Sequence, residues 1–128
     1  MRIFQNHPFA QFARKNRIPL AAICKAAREL SSGLIHANLG GGVYKQRIAR
    51  PGEGKSGGFR TIVAFQAGRF TCFLYGFAKK DFANVDRRDL ADLHLLATKL
   101  LRLSEVELDI AVKDGNLIEV KCDDKTLP

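Results

Sequence analysis

Residues 43–65 decide the fold: Val43-Tyr44-Lys45-Gln46-Arg47-Ile48-Ala49, then Pro51-Gly52-Glu53-Gly54-Lys55-Ser56-Gly57-Gly58, then Phe59-Arg60-Thr61-Ile62-Val63-Ala64-Phe65. The outer segments have strand-like composition, and the two-residue repeat of a strand places Lys45 and Arg47 on one face. A third strand, rich in aromatic residues, is predicted from Arg69 to Phe77. Because consecutive strands with short connections usually pair, we predict an antiparallel meander.

Helical patterns lie on both sides of this meander. The spacing of apolar residues predicts one short helix from Pro8 to about Lys15 and a second from Leu20 to Leu30, ended by Ser31-Ser32-Gly33. After the meander, Asp86 is a candidate N-cap for a long helix that runs to Leu101. The expected fold class is therefore α/β, more narrowly α+β.

The segment after residue 103 has signals of its own. Ser104 and Glu107 form a capping-box pattern, Asp114-Gly115-Asn116 predicts the end of that helix, and Leu117–Val120 has the length of an edge strand. We expect one domain with three parts: residues 1–103 as the main unit, residues 104–122 as an acidic helix–strand extension of it, and residues 123–128 as a frayed tail.

The charge of the chain is high and uneven. Its formal net charge is +8, which favours a polyanionic partner such as nucleic acid, an anionic membrane surface or an acidic protein. Residues 1–103 carry eighteen Lys or Arg against six Asp or Glu, a net +12, whereas residues 104–128 carry three against seven, a net −4. The main unit is thus the cationic part, and the extension opposes it.

The cysteines and the apolar runs bear on location. Cys24, Cys72 and Cys122 are odd in number and show no paired spacing, so a reducing cytoplasm is expected, and Cys24 and Cys72 fall within apolar patterns typical of a core. No stretch reaches the roughly eighteen apolar residues of a membrane span. We therefore expect a soluble cytoplasmic protein with no membrane partner.

Two nucleotide-binding patterns in the glycine-rich run are rejected. Gly54-Lys55-Ser56 ends like a P-loop, but the required first glycine falls on Ala49 and no helix follows. The run also matches G-x-G-x-x-G, yet the β-branched segment Thr61-Ile62-Val63 comes next instead of a helix. A flexible connection between strands is the expected structure.

The cations around this run suggest a site. Between Val43 and Arg60 one acid, Glu53, faces five bases, and two more follow the third strand; the bases are Lys45, Arg47, Arg50, Lys55, Arg60, Lys79 and Lys80. Gathered on one side of a small sheet, they would bind phosphates in a salt-dependent way. Bases on strands and loops fit RNA better than duplex DNA, since no candidate recognition helix carries them. A solvated basic face without a ligand remains the alternative.

Aromatic residues near these bases have two interpretations. The phenylalanines of the third strand are expected in the core, although stacking on bases is possible. Tyr44 and Tyr75 are better candidates for contact with RNA, because a buried phenol needs a hydrogen-bond partner.

Other site chemistries find no support in the spacing. The histidines His7, His36 and His94 stand alone, without other ligands at metal-binding spacing, and no Ser-His-Asp or Cys-His neighbourhood is present. We expect neither a metal nor another cofactor, so any chemistry must come from the cations.

Three stretches resemble the RelE/HigB-like toxins of bacterial type II toxin–antitoxin systems: Tyr44-Lys45-Gln46-Arg47-Ile48-Ala49-Arg50, Gly54-Lys55-Ser56-Gly57-Gly58-Phe59-Arg60-Thr61, and Tyr75-Gly76-Phe77-Ala78-Lys79-Lys80-Asp81. The likeness covers roughly residues 1–103. It implies the RelE-like toxin fold, with two N-terminal helices packed on a small, mostly antiparallel sheet and a helix toward the C-terminus. It also implies metal-independent cleavage of mRNA, free or on the ribosome, and neutralisation by a small antitoxin, expected to be a helix-turn-helix protein.

The resemblance also implies roles for single residues. Lys45 and Arg47 match the family's basic pair on the first meander strand, Arg60 matches the arginine that opens the next strand, and Lys80 or Lys79 matches the basic position after the last one. We predict Lys45, Arg47, Arg60 and Lys80 as catalytic. Residues predicted to contact RNA are Arg50, Lys55, Lys79, Tyr44 and Tyr75.

One feature of RelE has no counterpart: the region Phe82-Ala83-Asn84-Val85-Asp86 lacks the tyrosine that RelE holds near the scissile phosphate.

Two other functions remain open. The same cations could position RNA or the ribosome without cutting, or the chain could inhibit a topoisomerase as ParE-like toxins do, since that group shares the fold.

Overall fold

The computed structural model describes residues 1–50, 54–79 and 87–122, except the side chains of residues 54–56. Within them lie four helices and six strands, which confirms the mixed α/β class. In chain order these are β1 (Arg2–Gln5), α1 (His7–Lys15), α2 (Leu20–Ser31), β2 (Ala37–Gly40), β3 (Val43–Arg50), β4 (Gly54–Gln66), β5 (Phe70–Ala78), α3 (Arg87–Leu101), α4 (Glu105–Lys113) and β6 (Ile118–Val120). The expected N-cap at residue 86 and the tail at residues 123–128 lie outside the described residues.

All six strands of the described part form one sheet, in the order β2-β3-β4-β5-β1-β6. Strands β3, β4 and β5 pair antiparallel, which confirms the meander. Strand β1 runs parallel to β5 and also pairs with β6. The sequence did not predict β1 or β2, because four residues are too short to show a strand period, and Ile3 and Phe4 are buried on both faces of β1.

The glycine-rich run is largely strand rather than the flexible connection expected. Strand β4 begins at Gly54, which pairs with Arg50, and the register shifts at this end of β3. A Cβ on Gly58 would overlap the carbonyl oxygen of Ile48, so only glycine allows the strands to approach this closely. The glycines therefore serve strand pairing; residues 51–53 lie outside the description.

One face of the sheet shares a buried cluster with the first two helices. Phe9 of α1 and Ile23 of α2 belong to the same apolar cluster as Ile48, Val63 and Phe73 of the meander. Burying each of these large side chains contributes about 1.5–3 kcal/mol. These contacts hold β3, β4 and β5 against α1 and α2.

The other face of the sheet packs on the later helices. Val43, Ile62 and Leu74 form a second cluster with Leu100 of α3 and Leu108 of α4. The third-strand phenylalanines Phe70, Phe73 and Phe77 are all buried, as predicted. None of the helices in the described part of the chain has the length and apolar character required to cross a bilayer.

The extension after residue 103 contains the predicted helix and strand. The Ser104 hydroxyl accepts a hydrogen bond from the Glu107 amide at 3.1 Å, and the Glu107 carboxylate accepts one from the Ser104 amide at 2.9 Å, so the capping box is confirmed. The extension is thus joined to the domain as α4 and β6.

Arg2 of β1 forms ion pairs with three acidic residues of this extension. Its guanidinium lies 2.9 Å from Glu105, 2.8 Å from Asp109 and 2.9 Å from Glu119. Arg69 lies 3.9 Å from Glu105 as well. Glu105, Asp109 and Glu119 of the extension therefore contact Arg2 or Arg69 rather than the bases of β3 and β4.

The expectation that the cysteines are reduced was wrong for Cys24 and Cys122. Cys24 of α2 and Cys122, just after β6, form a disulfide that spans 98 residues of sequence. Cys72 is a free, buried thiol. Cys24 is in the core as predicted, but its pairing depends on how α2 and β6 meet in space, which the spacing of cysteines does not record.

Candidate nucleic-acid interface

Strand register brings three of the predicted bases onto one face of the sheet. Directly paired residues of an antiparallel sheet project to the same side, and two rows cross the meander in this way: Lys45, Ile62 and Tyr75 in one, and Arg47, Arg60 and Phe77 in the next. We call the surface formed by Lys45, Arg47, Arg60 and Tyr75 the cationic face. It lies on the side of the sheet opposite α1 and α2.

Arg60 sits at the centre of the cationic face and is only 6% exposed. Its Nη1 donates to the carbonyl oxygen of Gly58 at 3.4 Å. Burial, and after it the charge of Arg47, lowers the pKa of the Arg60 guanidinium. Because arginine stays protonated in proteins, this position holds a partly desolvated positive charge.

The surroundings of Lys45 oppose the positive charge of its ammonium. Burial lowers the pKa of its ammonium first, and the positive charges of Arg60 and Arg47 lower it further. A lysine in such surroundings gives up its proton more easily than a solvated one. The shift is in the direction that a role as a base needs.

His36, which precedes β2, joins the cationic face and was missed in the sequence. Arg47 Nη2 lies 3.1 Å from His36 Nε2. Burial, followed by the charges of Arg47, Lys45 and Arg60, lowers the pKa of the imidazole. No sequence signal pointed to His36, because its neighbours in space, Lys45, Arg47 and Arg60, come from β3 and β4, nine or more residues away.

Arg47 has an unused donor. Its Nε is buried and has no hydrogen-bond partner among the described residues. A buried donor without a partner is costly, and an anion that binds to the guanidinium would relieve that cost. His36, Gln46 and Arg47 line a depression of about 360 Å³ at this place.

Other predicted RNA-binding residues lie at the strand ends. Arg50 and Lys79 line a cavity of about 520 Å³ together with Gly57 and Gly58. The register shift in β3 turns the Arg50 guanidinium onto the ring of Phe59, 4.5 Å from its centroid, and so away from the row of Arg47. Lys80 and the side chain of Lys55 lie outside the described part of the chain.

The two tyrosines are on opposite faces. Tyr75 is 38% exposed, lies on the cationic face and has its ring 6.0 Å from that of Phe77. Tyr44 projects to the other side of β3, where its ring packs edge-on against Phe65 at 5.6 Å. Of the pair, the structure brings only Tyr75 to the bases.

A larger cavity, of about 880 Å³, lies between α2 and β6 and is lined by Arg28, Glu119 and Cys122 among others. The sheet order places β6 at the edge opposite β2, and the cavity lies on the α2 side of the sheet, away from the side chains of Lys45 and Arg60, although Leu34 lines both this cavity and the depression beside Arg47. In the described ranges, no three His, Cys, Asp or Glu side chains come together to hold a metal ion. The cationic face remains the site where pKa shifts, buried charge and predicted residues coincide.

Comparison with known proteins places the chain in a family. A search of curated proteins found no match. The family model described as the RelE toxin of the RelE / RelB toxin-antitoxin system matches residues 1–120, from β1 to the end of β6. The match includes the whole cationic face and the acidic extension as far as Val120. The chain therefore belongs to the RelE toxin family of toxin–antitoxin systems.

Proposed function

We propose that this chain is the toxin of a type II toxin–antitoxin system and acts as a metal-independent endoribonuclease that cuts mRNA and so inhibits translation. The observation that carries the proposal is the gathering of Lys45, Arg47 and Arg60 on one face, with the pKa of Lys45 lowered. Family membership supports it. So does the packing of two N-terminal helices against a mostly antiparallel sheet, the arrangement expected of a RelE-like toxin.

The reaction needs only proton transfer and charge stabilisation. The 2′-hydroxyl of one ribose loses its proton and forms a bond to the adjacent phosphorus, and the bond from phosphorus to the 5′ oxygen of the next nucleotide breaks. The products are a 2′,3′-cyclic phosphate and a 5′-hydroxyl, since the leaving oxygen takes up a proton. Neutral Lys45 is the proposed base for the first proton.

Arg47 and Arg60 are proposed to stabilise the phosphorane. A guanidinium can donate two parallel hydrogen bonds to phosphate oxygens, and two of them facing each other fit a centre whose negative charge rises during the reaction. Tyr75 is proposed to stack on a neighbouring base. Lys80, outside the described residues, is our candidate to protonate the leaving oxygen, and Arg50 and Lys79 would hold the strand further along.

The partners follow from this activity. A RelE toxin is paired with an antitoxin, and we propose that this one is a small helix-turn-helix protein encoded in an adjacent reading frame. The substrate is mRNA, free or on the ribosome, so the site of action would be the cytoplasm.

Mapping of mRNA 5′ ends after induced expression tests the proposal. We expect discrete new 5′-hydroxyl ends with the wild type and none with Arg60→Ala. Arg14→Ala is the matched control, because it also removes one arginine but from an exposed position on α1, remote from the cationic face. Arg60→Lys keeps the charge without the bidentate fork and should cut much more slowly than the wild type.

Each alternative gives a different result in the same experiment. RNA that co-purifies with the protein without new ends would indicate a binder that does not cut. DNA damage without new ends would indicate a topoisomerase inhibitor. Repeating the induction with translation blocked separates ribosome-dependent cutting from cutting of free mRNA.

A further inference from the structure

We propose that His36 is a positioning residue that holds the Arg47 guanidinium in place for a phosphate of bound RNA. This inference rests on the proposed function of the cationic face. It goes beyond that function because the residue comes from the segment between α2 and β2, outside the meander that carries the three bases. His36 acts through Arg47 and is not proposed to touch the RNA.

The hydrogen bond fixes the chemical state of the ring. A guanidinium has only donors, so Arg47 Nη2 donates and His36 Nε2 must accept, at 3.1 Å. A neutral imidazole that accepts at Nε2 carries its proton on Nδ1. In this tautomer the Nδ1–H is buried without a partner among the described residues, while Nε2, the single acceptor of the ring, faces Arg47.

A buried glutamine fixes the backbone that carries this ring. The His36 amide donates to Gln46 Oε1 at 3.1 Å, and Gln46 Nε2 donates to the Leu34 carbonyl at 2.8 Å. Gln46 is 4% exposed and lies on the opposite side of β3 from Arg47. The backbone is thus held to β3 before His36 through Leu34, at His36 itself, and after it through the pairing of Ala37 with Lys45, which places the ring beside Arg47.

A neutral acceptor is the suitable partner for Arg47 here. A carboxylate would neutralise the guanidinium and compete with phosphate for it, whereas an imidazole orients it and leaves its full charge. With Nη2 bonded to His36, the guanidinium of Arg47 is held in one orientation before an anion binds. Side chains that are held in advance lose less entropy on binding, and RNA affinity should reflect that.

Two substitutions of His36 distinguish the contribution of its acceptor nitrogen to RNA binding from the contribution of its ring shape. Gln places an oxygen near the position of Nε2, so His36→Gln should bind a short, labelled single-stranded RNA within about twofold of the wild type. Asn is also a polar amide but reaches only as far as Nδ1, so His36→Asn should bind about tenfold more weakly. Arg47→Met marks the loss of the guanidinium itself, and thermal unfolding of each variant checks the fold.

The outcomes distinguish the inference from the function it rests on. Weak binding by Arg47→Met together with full binding by His36→Asn would overturn the role of His36 alone. Equal loss in His36→Asn and His36→Gln would also overturn it, since the ring would then matter for its shape only. Full binding by Arg47→Met would overturn both the inference and the proposed use of Arg47.

The ring nitrogens of the wild-type chain provide a test that needs no variant. Nuclear magnetic resonance of ¹⁵N-labelled histidine should show His36 neutral, protonated at Nδ1 and unprotonated at Nε2. A proton on Nε2 would exclude the hydrogen bond from Arg47 and end the proposal. This result decides the matter even if His36→Asn does not fold.

Discussion

Arg47 and Arg60 are directly opposite each other on adjacent antiparallel strands, and their side chains project to the same face of the sheet. Like charges in this position lower the stability of a sheet. The local arrangement is therefore unfavourable in the free protein and becomes favourable when a negative group lies between the two guanidinium groups. Arrangements that violate local rules in this way are typical of functional sites.

RNA binding should depend on salt through these cations. Each phosphate contact that is lost should lower the slope of log affinity against log salt concentration by about 0.7, the value for single strands. We predict this change for Arg47→Met and for Lys45→Met, measured by fluorescence anisotropy over a salt series. Arg14→Met should keep the wild-type slope; an equal change in that control would mean that net charge, rather than the cationic face, determines binding.

Removing the charge of Lys45 should stabilise the free protein while it weakens RNA binding. Burial and two neighbouring arginines oppose the ammonium, so we expect Lys45→Met to be more stable by about 0.5–1 kcal/mol in urea denaturation at neutral pH. Lys25→Met, a change at an exposed position of α2, should have little effect.

The same variant should show a defined pH dependence. The folded-state pKa of Lys45 lies below its ordinary value of 10.5, so the unfolded chain binds more protons between the two values. The cost of the charge is full below the folded pKa and disappears as the pH rises toward 10.5. The advantage of Lys45→Met should shrink over that range; a constant difference would mean that packing, not charge, causes it.

The disulfide should be the main covalent contribution to stability. It closes a loop of 98 residues, and removing such a bond typically costs about 2–5 kcal/mol. We predict this loss for the double variant Cys24→Ser/Cys122→Ser in denaturant titrations, and for the wild type when reductant is added. Reductant should then have no effect on the double variant.

Thiol labelling of the native protein gives an independent check. The thiol of Cys72 is buried, and burial raises its pKa to about 12. A thiol reagent should thus modify no cysteine before reduction. Two reactive thiols in the untreated protein would contradict the Cys24–Cys122 bond.

Glu119 should make the protein sensitive to acid. Its hydrogen bonds with Arg2 hold the pKa of the carboxyl below 4.5, so its contribution is full above that value and is lost as the pH falls through the folded pKa. We predict that Glu119→Gln is about 1–2 kcal/mol less stable at neutral pH and that this difference shrinks in acid. Glu105→Gln, at a more exposed partner of Arg2, should cost less than about 0.5 kcal/mol.

Some of this structure could be read from the sequence because its signals are local. The apolar spacing of α1 and α2, the alternation along β3 and the capping box at Ser104 each depend on residues within a few positions of one another. Strand order could not be read in the same way. Strand β1 pairs with β5 some seventy residues further along the chain, and nothing in four residues specifies that partner.

The residues of the candidate site that could be predicted were also those with a local signal in the sequence. Lys45 and Arg47 were placed together by strand alternation, and Arg60 by its position after the glycine-rich run. The missed residues were those whose role depends on a contact between distant segments: His36 beside Arg47, and Cys24 with Cys122. Tyr44 shows the limit of a single-residue argument, since its neighbour Phe65 gives it a place in the apolar packing.

The most direct test of the central claim, that Arg47 and Arg60 hold the same phosphate, is a double-mutant cycle on RNA affinity with Arg47→Met, Arg60→Met and the double variant. Two side chains that share one ligand group are coupled, so we predict that the double variant loses less affinity than the two single losses combined, by at least about 0.5 kcal/mol. Additive losses in folded proteins, within about 0.3 kcal/mol, would show that the two arginines act on separate groups and would contradict the claim.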